Sequence, residues 1–477
     1  AYEIYQCDWS SDVCSSDLFF DVFPVYLRRQ GVALADIGAL SLLGLAWTLK
    51  FLWAPAIDYF RHHRWWMAGV DLGMGAAMLA VAVGAGFGPW VWAAIGLFTV
   101  LSATNDIAVD AYSIEILDRD EMGLANGIRI GFYRVGMLAA GAVLVLPDWV
   151  GWQNAFLSAA AILVTSAIVI LRAPAERTVP PPGSRGPGTL AAITSQPLLG
   201  AGLACFALLV AGLVSIEYAR PRMDAALLRW LGMGNVVLLC LSAALLRSGA
   251  RRAPRGVNTS DPVLGGLLEL FARPGILPVL LFVLIFKLGD ASMGFMVKPF
   301  WVDSGFTLTE IGLVSVNLGL GLSIAGGLVG GWYADRAGLY RALWVLGLYQ
   351  ALSNLGYAAV AMIMPAHGAE VLWWHRAALY AASATESFTG GLGTAAFLAF
   401  LMAIVDKRHS AAEYALLSSV FALSRSVAGW GSGFGAQQMG YAPYFLLTFL
   451  LSFPAYALLP WVRRALAAAD DDSRAAG

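Results

Sequence analysis

Segments of about 20 predominantly apolar residues recur along nearly the whole chain, each long enough to cross the hydrocarbon core of a bilayer as a helix. This recurrence constrains the fold more than any other feature. A backbone in hydrocarbon has no water to pair with, so each N–H and C=O must be satisfied within a helix or a closed barrel. The alternating apolar and polar positions of barrel strands are absent. Composition agrees with the helical choice: 59% of the 477 residues are hydrophobic, 13% are charged, and the mean hydropathy is +0.70. The class that follows is an all-α polytopic membrane protein embedded in the lipid bilayer.

Several functions fall away on the same reading. The formal net charge is -1 and the basic residues are dispersed, which leaves no electrostatic footprint for nucleic acid. Cys205 and Cys240 lie in apolar runs and Cys7 and Cys14 near the start, so no spacing suggests a disulfide framework, a metal site or another cofactor. No HExxH run marks an enzyme. Residues 1–18 have neither a basic start nor an apolar core and are no signal peptide. Asp8–Leu18 resembles the translation of a sequencing-library adapter, so 1–18 reads as a non-native leader that truncates the first span to Phe19–Leu27.

The rest divides into two sets of six spans. Residues 19–172 read as an N-terminal helical bundle, 173–196 as a linker rich in Pro, Gly and Arg, and 197–247 as an inserted two-helix hairpin. Residues 248–274 carry a basic stretch and an interfacial helix opening at Ser260-Asp261-Pro262. A C-terminal bundle at 275–464 and a disordered tail at 465–477 complete the chain, for about 14 spans in all. The long run Leu372–Val405 is expected to hide a break. Basic loop residues gather on one side, with only Arg28, Arg29, Arg220 and Arg222 on the other, which places the linker and the C-terminus in the cytoplasm. Asp36-Ile37-Gly38 and Glu310-Ile311-Gly312 open comparable spans that end at Asp58 and Asp335. Either the halves are parallel repeats flanking a central site, or apolar sequence is merely matching apolar sequence.

Charges at membrane depth are the candidate site. Asp106 and Asp110 stand one turn apart, and an acid there costs roughly 2.5 to 3.5 kcal/mol even on the gentlest scale, so the pair needs a partner, a proton or water. It is either a proton-coupling site or a structural pair met by a cation such as Lys50 or Arg134. Lys287 and Asp290, at i and i+3, either neutralise each other or divide between a substrate carboxylate and a proton. Glu386 is a further proton candidate or a hydrated acid, and Arg134 and Arg425 suit an anionic ligand. Trp47, Trp53, Trp301 and Tyr349 are available to stack on sugar rings or to anchor at the interface.

The run from Gly331 to Arg341 fits G-x-x-x-D-R-x-G-x-x-R, in which Gly331 and Gly338 permit a tight turn while Asp335, Arg336 and Arg341 form a conformational latch. This resembles the loop signature of the major facilitator superfamily; the first-half loop keeps Asp58 but lacks the glycines. Lys50-Phe51-Leu52-Trp53-Ala54-Pro55, Ser102 to Ala111, Tyr133-Arg134-Val135-Gly136 and Lys287-Leu288-Gly289-Asp290-Ala291 further resemble, in order, motifs of the AmpG muropeptide permease branch.

That resemblance implies a monomeric secondary transporter importing anhydro-muropeptides with protons across a bacterial inner membrane for peptidoglycan recycling. Asp106, Asp110, Asp290 and Glu386 would couple protons, while Lys50, Tyr133, Arg134, Lys287 and Arg425 would bind the anionic substrate. Another organic anion such as acetyl-CoA is the alternative cargo, and a non-transporting membrane sensor the remote alternative.

Overall fold

The computed structural model describes residues 18–50, 53, 62–84, 89–116, 138, 140–172, 197–219, 225–252, 270–365, 370–404 and 410–475. The leader up to residue 17, the linker, the proposed interfacial helix, and the site residues Asp58, Tyr133 and Arg134 lie outside the described residues. Leu18, assigned to the leader by sequence, is fully buried in a π-helical turn, Leu18–Val22, that opens the first helix.

Apolar residues on most faces and few interior prolines make long helices the default, and membrane-scale helices dominate. The first half contributes α1 (Phe23–Arg29), α2 (Leu34–Leu49), α3 (His63–Val83), α4 (Pro89–Ile116) and α5 (Pro147–Ile170). The hairpin is α6 (Pro197–Ala219) and α7 (Ala225–Arg252). The second half contributes α8 (Ile276–Asp303), α9 (Leu308–Ala337), α10 (Leu339–Ile363), α11 (Trp373–Ala403), α12 (Ser410–Met439), α13 (Tyr441–Leu451) and α14 (Leu459–Ala475). Among the described residues, nine helical stretches have the length and apolar character of a full span, with α13 and α14 counted together as Tyr441–Ala468.

The structure corrects three expectations. The run near Leu372 hides no break: α11 continues for 31 residues, about 46 Å at 1.5 Å per residue. Its glycines serve close packing instead, since a Cβ on Gly391 would sit 2.2 Å from the Ser323 carbonyl of α9. α8 extends eight residues past the expected Phe295, because Met296–Val302 is buried, and its break falls at Lys287 (φ -95°, ψ 7°). The C-terminus is helical to Ala475 rather than disordered from 465: Ala and Arg are strong helix formers, and Val462 is fully buried with Leu466 packed beside it.

The halves meet along two equivalent seams. At the first, α2 lies on α12 so closely that a Cβ on Gly38 would stand 2.8 Å from the Gly433 Cα, and Ser41 Oγ donates to the Ser426 carbonyl at 2.7 Å. At the second, a Cβ on Gly312 of α9 would stand 2.9 Å from the Gly141 carbonyl of the first half. Gly38 and Gly312 are the residues that end the repeated Asp-Ile-Gly and Glu-Ile-Gly triplets, so the repeat marks the two places where small residues let the bundles approach. The hairpin rests on the first seam, where Leu209 and Leu213 join Leu42, Leu45 and Leu423 in one buried cluster.

Candidate functional site

At the end opposite the Gly331–Arg341 loop the two halves are clasped by charge. Arg28, closing α1, donates Nε and Nη2 to the two carboxylate oxygens of Asp303, closing α8, each at 2.6 Å. Tyr441 Oη donates to the same carboxylate at 2.6 Å, and Arg29 Nη2 donates to the Phe306 carbonyl at 2.7 Å. Asp148, at the start of α5, accepts from the backbone N–H and hydroxyl of Thr309 at 2.6 and 2.8 Å. Planar, bidentate contacts of the Arg28–Asp303 kind are the stronger class of charge-assisted hydrogen bond. Deeper along α8, Lys298 Nζ donates to Ser315 Oγ at 2.8 Å and lies 3.6 Å from the Asp21 carboxylate of the first half.

In the first half Asp106, on α4, forms an ion pair with Lys50, just past α2. Around it Trp53 Nε1 donates to Thr104 Oγ1 at 3.1 Å, and the buried Asn105 donates to Asp71 on α3 at 3.3 Å. Asp110 stands one turn further along α4; its side chain lies outside the described residues. Lys50, a candidate by sequence both for binding substrate and for pairing with the two acids, is held by Asp106.

In the second half Lys287 is 2% exposed at the break in α8. Its ammonium has three protons and three acceptors: Gln350 Oε1 at 2.8 Å, Thr394 Oγ1 at 2.8 Å and Asp290 Oδ2 at 3.5 Å. Lys287, a substrate-binding candidate by sequence, joins α8, α10 and α11 through these three acceptors. Glu386, on α11, accepts from Ser387 Oγ at 3.4 Å and lies within electrostatic reach of Asp290, Lys298 and Lys287. Lys287, Asp290 and Glu386, picked separately by sequence, thus form one cluster, with Arg425 close enough for Lys287 to feel its charge.

Arg425 differs from the other cations. It is exposed on α12, the seam helix, and its guanidinium lies 4.4 Å from the ring centre of Phe20. Phe20 stacks on Trp47 with centroids 5.7 Å apart, so a cation and two aromatic faces stand together where the halves meet. Among the described residues Arg425 makes no ion pair. Trp301 is fully buried and stacked on Tyr380, and Tyr349 borders a groove of about 350 Å³ between α10 and α11, so neither is placed for stacking at the seam.

The loop motif is built as a turn. Gly338 adopts φ 83°, ψ 146°, a conformation L side chains rarely adopt, and lets α10 start directly after α9. Gly331 is half-buried in the last turns of α9, while Asp335, Arg336 and Arg341 are exposed. Arg336 lies over the Trp332 ring at 4.5 Å, and among the described residues Asp335 and Arg341 have no ion-pair partner.

The sequence reading missed Arg28, Asp303, Tyr441, Lys298 and Asp21. Only Lys298 carried a signal: it follows Lys287 by eleven residues, three helical turns, and so returns to the same face of α8.

Comparison with known proteins gives a consistent family. The Major Facilitator Superfamily model matches residues 14–374. The anhydromuropeptide permease of Escherichia coli (strain K12) is 27% identical over 457 residues, covering 92% of this chain and 75% of the relative. The fold resembles that of an auto-inhibited POT family peptide transporter, with TM-score 0.69 and 15% identity over 97% of this chain and 96% of the other. It also resembles the nucleoside transporter NupG, with TM-score 0.62 and 11% identity over 97% and 98%.

Proposed function

Because the chain belongs to the major facilitator superfamily, we propose that its halves rock about the Gly38 and Gly312 seams to import anhydro-muropeptides with protons. The membrane is the bacterial inner membrane, the linker and C-terminus are cytoplasmic, and the working unit is the monomer. The observation that carries this reading is Arg425 with Phe20 and Trp47 at the seam. A guanidinium recognises the carboxylates of a peptide stem, and flat aromatic faces receive sugar rings. The chain is an AmpG-like transporter rather than an enzyme, and the name of its Escherichia coli relative supports this cargo.

The cycle follows from the contacts. Parting of the Arg28–Asp303–Tyr441 clasp admits cargo from the outer side, and its closure accompanies opening at the Gly331–Arg341 loop. A proton on Asp106 cancels its attraction for Lys50 and frees that cation. Asp290 and Glu386 exchange protons beside Lys287. Asp110, Tyr133 and Arg134 belong to the same proposal by sequence position.

The test is uptake of radiolabelled anhydro-muropeptide into membrane vesicles energised by a proton gradient. Uptake is expected to collapse with a proton uncoupler and in Asp106→Asn, and to need at least tenfold more substrate in Arg425→Ala. Uptake indifferent to the uncoupler removes proton coupling; an unchanged substrate requirement in Arg425→Ala removes the binding site.

A further inference from the structure

Two ion pairs between described residues join the halves, and they have opposite senses. At the clasp the first half supplies the base, Arg28, and the second half the acid, Asp303. Five residues earlier on α8, about 7.5 Å along a helix, the second half supplies the base, Lys298, and the first half the acid, Asp21. The pairs differ in fit. Asp303 takes two hydrogen bonds from Arg28 at 2.6 Å, whereas Asp21 stands 3.6 Å from Lys298 Nζ, beyond hydrogen-bond distance. Lys298 is only 9% exposed. One of its three ammonium protons is spent on Ser315 Oγ at 2.8 Å, and among the described residues no second acceptor lies within hydrogen-bond distance. Unlike Lys287, it is a buried cation with protons to spare.

The residue beside Asp21 ties this pair to the seam. Phe20, in the same π-helical turn Leu18–Val22, lies under the Arg425 guanidinium and meets Phe295, three residues before Lys298, edge to face at 5.8 Å. One turn of the first half thus covers two cations of the second, Arg425 with an aromatic ring and Lys298 with a carboxylate. Parting of the halves withdraws both covers. A buried cation left without its partner is costly, so an anion that arrives with the parting offsets that cost and favours the parted state. Glu386 on α11 feels the charge of Lys298 but, among the described residues, forms no ion pair with it.

We propose that Lys298 is a second carboxylate-binding residue of the cargo site and that Asp21 is its built-in competitor. With the clasp open, a cargo carboxylate takes the Lys298 ammonium. As the clasp closes, Asp21 returns to Lys298 and displaces that carboxylate, which helps release the cargo to the cytoplasmic side. The pair as it stands, with the clasp closed and Asp21 against Lys298, is the end of that exchange. This inference rests on the anionic-cargo reading and narrows it to a molecule with one carboxylate for Arg425 and another for Lys298. A competitor that occupies the site part of the time raises the apparent Kd by the fraction it blocks, so removing its charge tightens binding.

The test is equilibrium binding of radiolabelled anhydro-muropeptide to the purified full chain in detergent, with uptake into vesicles measured beside it. Lys298→Gln is expected to raise Kd at least tenfold, the loss of one charge-assisted contact. Asp21→Asn is expected to lower Kd at least threefold and yet to slow uptake at saturating substrate, because bound cargo is no longer displaced. The opposite signs separate this exchange from a merely structural pair, whose loss from either side moves binding the same way. Weakening by both variants, or unchanged binding in either, overturns the proposal. If Lys298→Gln does not fold, Asp21→Asn decides alone, and a Kd at or above that of wild type overturns it. Failure of the wild-type protein to bind anhydro-muropeptide overturns the proposal through the cargo reading, whereas normal wild-type binding with the wrong signs overturns the Lys298 site and leaves that reading standing.

Discussion

Lys50 in the first half and Lys287 in the second each stand beside a carboxylate at membrane depth, but in different surroundings. The Lys50 and Asp106 side chains are 30% and 23% exposed, whereas that of Lys287 is 3% exposed and its ammonium is held by three helices. A half-open pair exchanges partners at little cost, because water replaces what the partner withdraws. An enclosed cation loses everything if its acceptors leave. The first half thus holds a half-exposed charge pair, and the second an enclosed cation beside Asp290 and Glu386.

The sharpest way to break this contrast is Lys287→Met. It strands Gln350 Oε1 and Thr394 Oγ1 and removes the neighbour of Asp290, so a loss of about 3 kcal/mol is expected by analogy with broken buried pairs. Thermal unfolding in detergent measures it, and a melting temperature equal to wild type would show that Lys287 is no structural hub. Next comes the seam. Gly38→Ala forces backbone apart at Gly433, and about 1 to 3 kcal/mol is expected for overpacking there, with a similar loss for Gly312→Ala at the equivalent seam. Unequal losses in the same unfolding assay would argue against equivalence of the two contacts.

A smaller effect is expected at the clasp. Arg28→Gln removes a partly exposed bidentate pair worth about 1 kcal/mol, and a thiol placed by Phe20→Cys should then react faster with an impermeant maleimide added from the clasped side. An unchanged reaction rate would show that the clasp does not govern access. Smallest is Lys50→Met, where stability should shift by no more than about 1 kcal/mol while driven uptake is lost. A stability loss matching that of Lys287→Met would erase the distinction between the two lysines.

Much of the helix plan was readable from the chain, because span length and hydropathy are local properties. The clustering of Lys287, Asp290 and Glu386 was half readable: each stood out as a charge in an apolar run, but Gln350 and Thr394, which decide what Lys287 does, are polar residues of ordinary kind in unrelated helices. The clasp was illegible for a different reason. Arg28 and Asp303 sit at helix ends, where charges are common, and 275 residues separate them. The continuity of α11 was also hidden, since the close contact of its glycines with α9 exists only in the folded chain.

By itself the sequence determined the membrane class, the two-half organisation, the loop motif and the residues whose charge demanded an explanation, because hydrocarbon thickness and the cost of burying charge act on local sequence. Only the tertiary structure decided which of those charges are spent and which remain open. Pairing of ionisable groups depends on distances of a few ångströms between helices far apart in the chain, and that geometry left Arg425 exposed at the seam while enclosing Lys287.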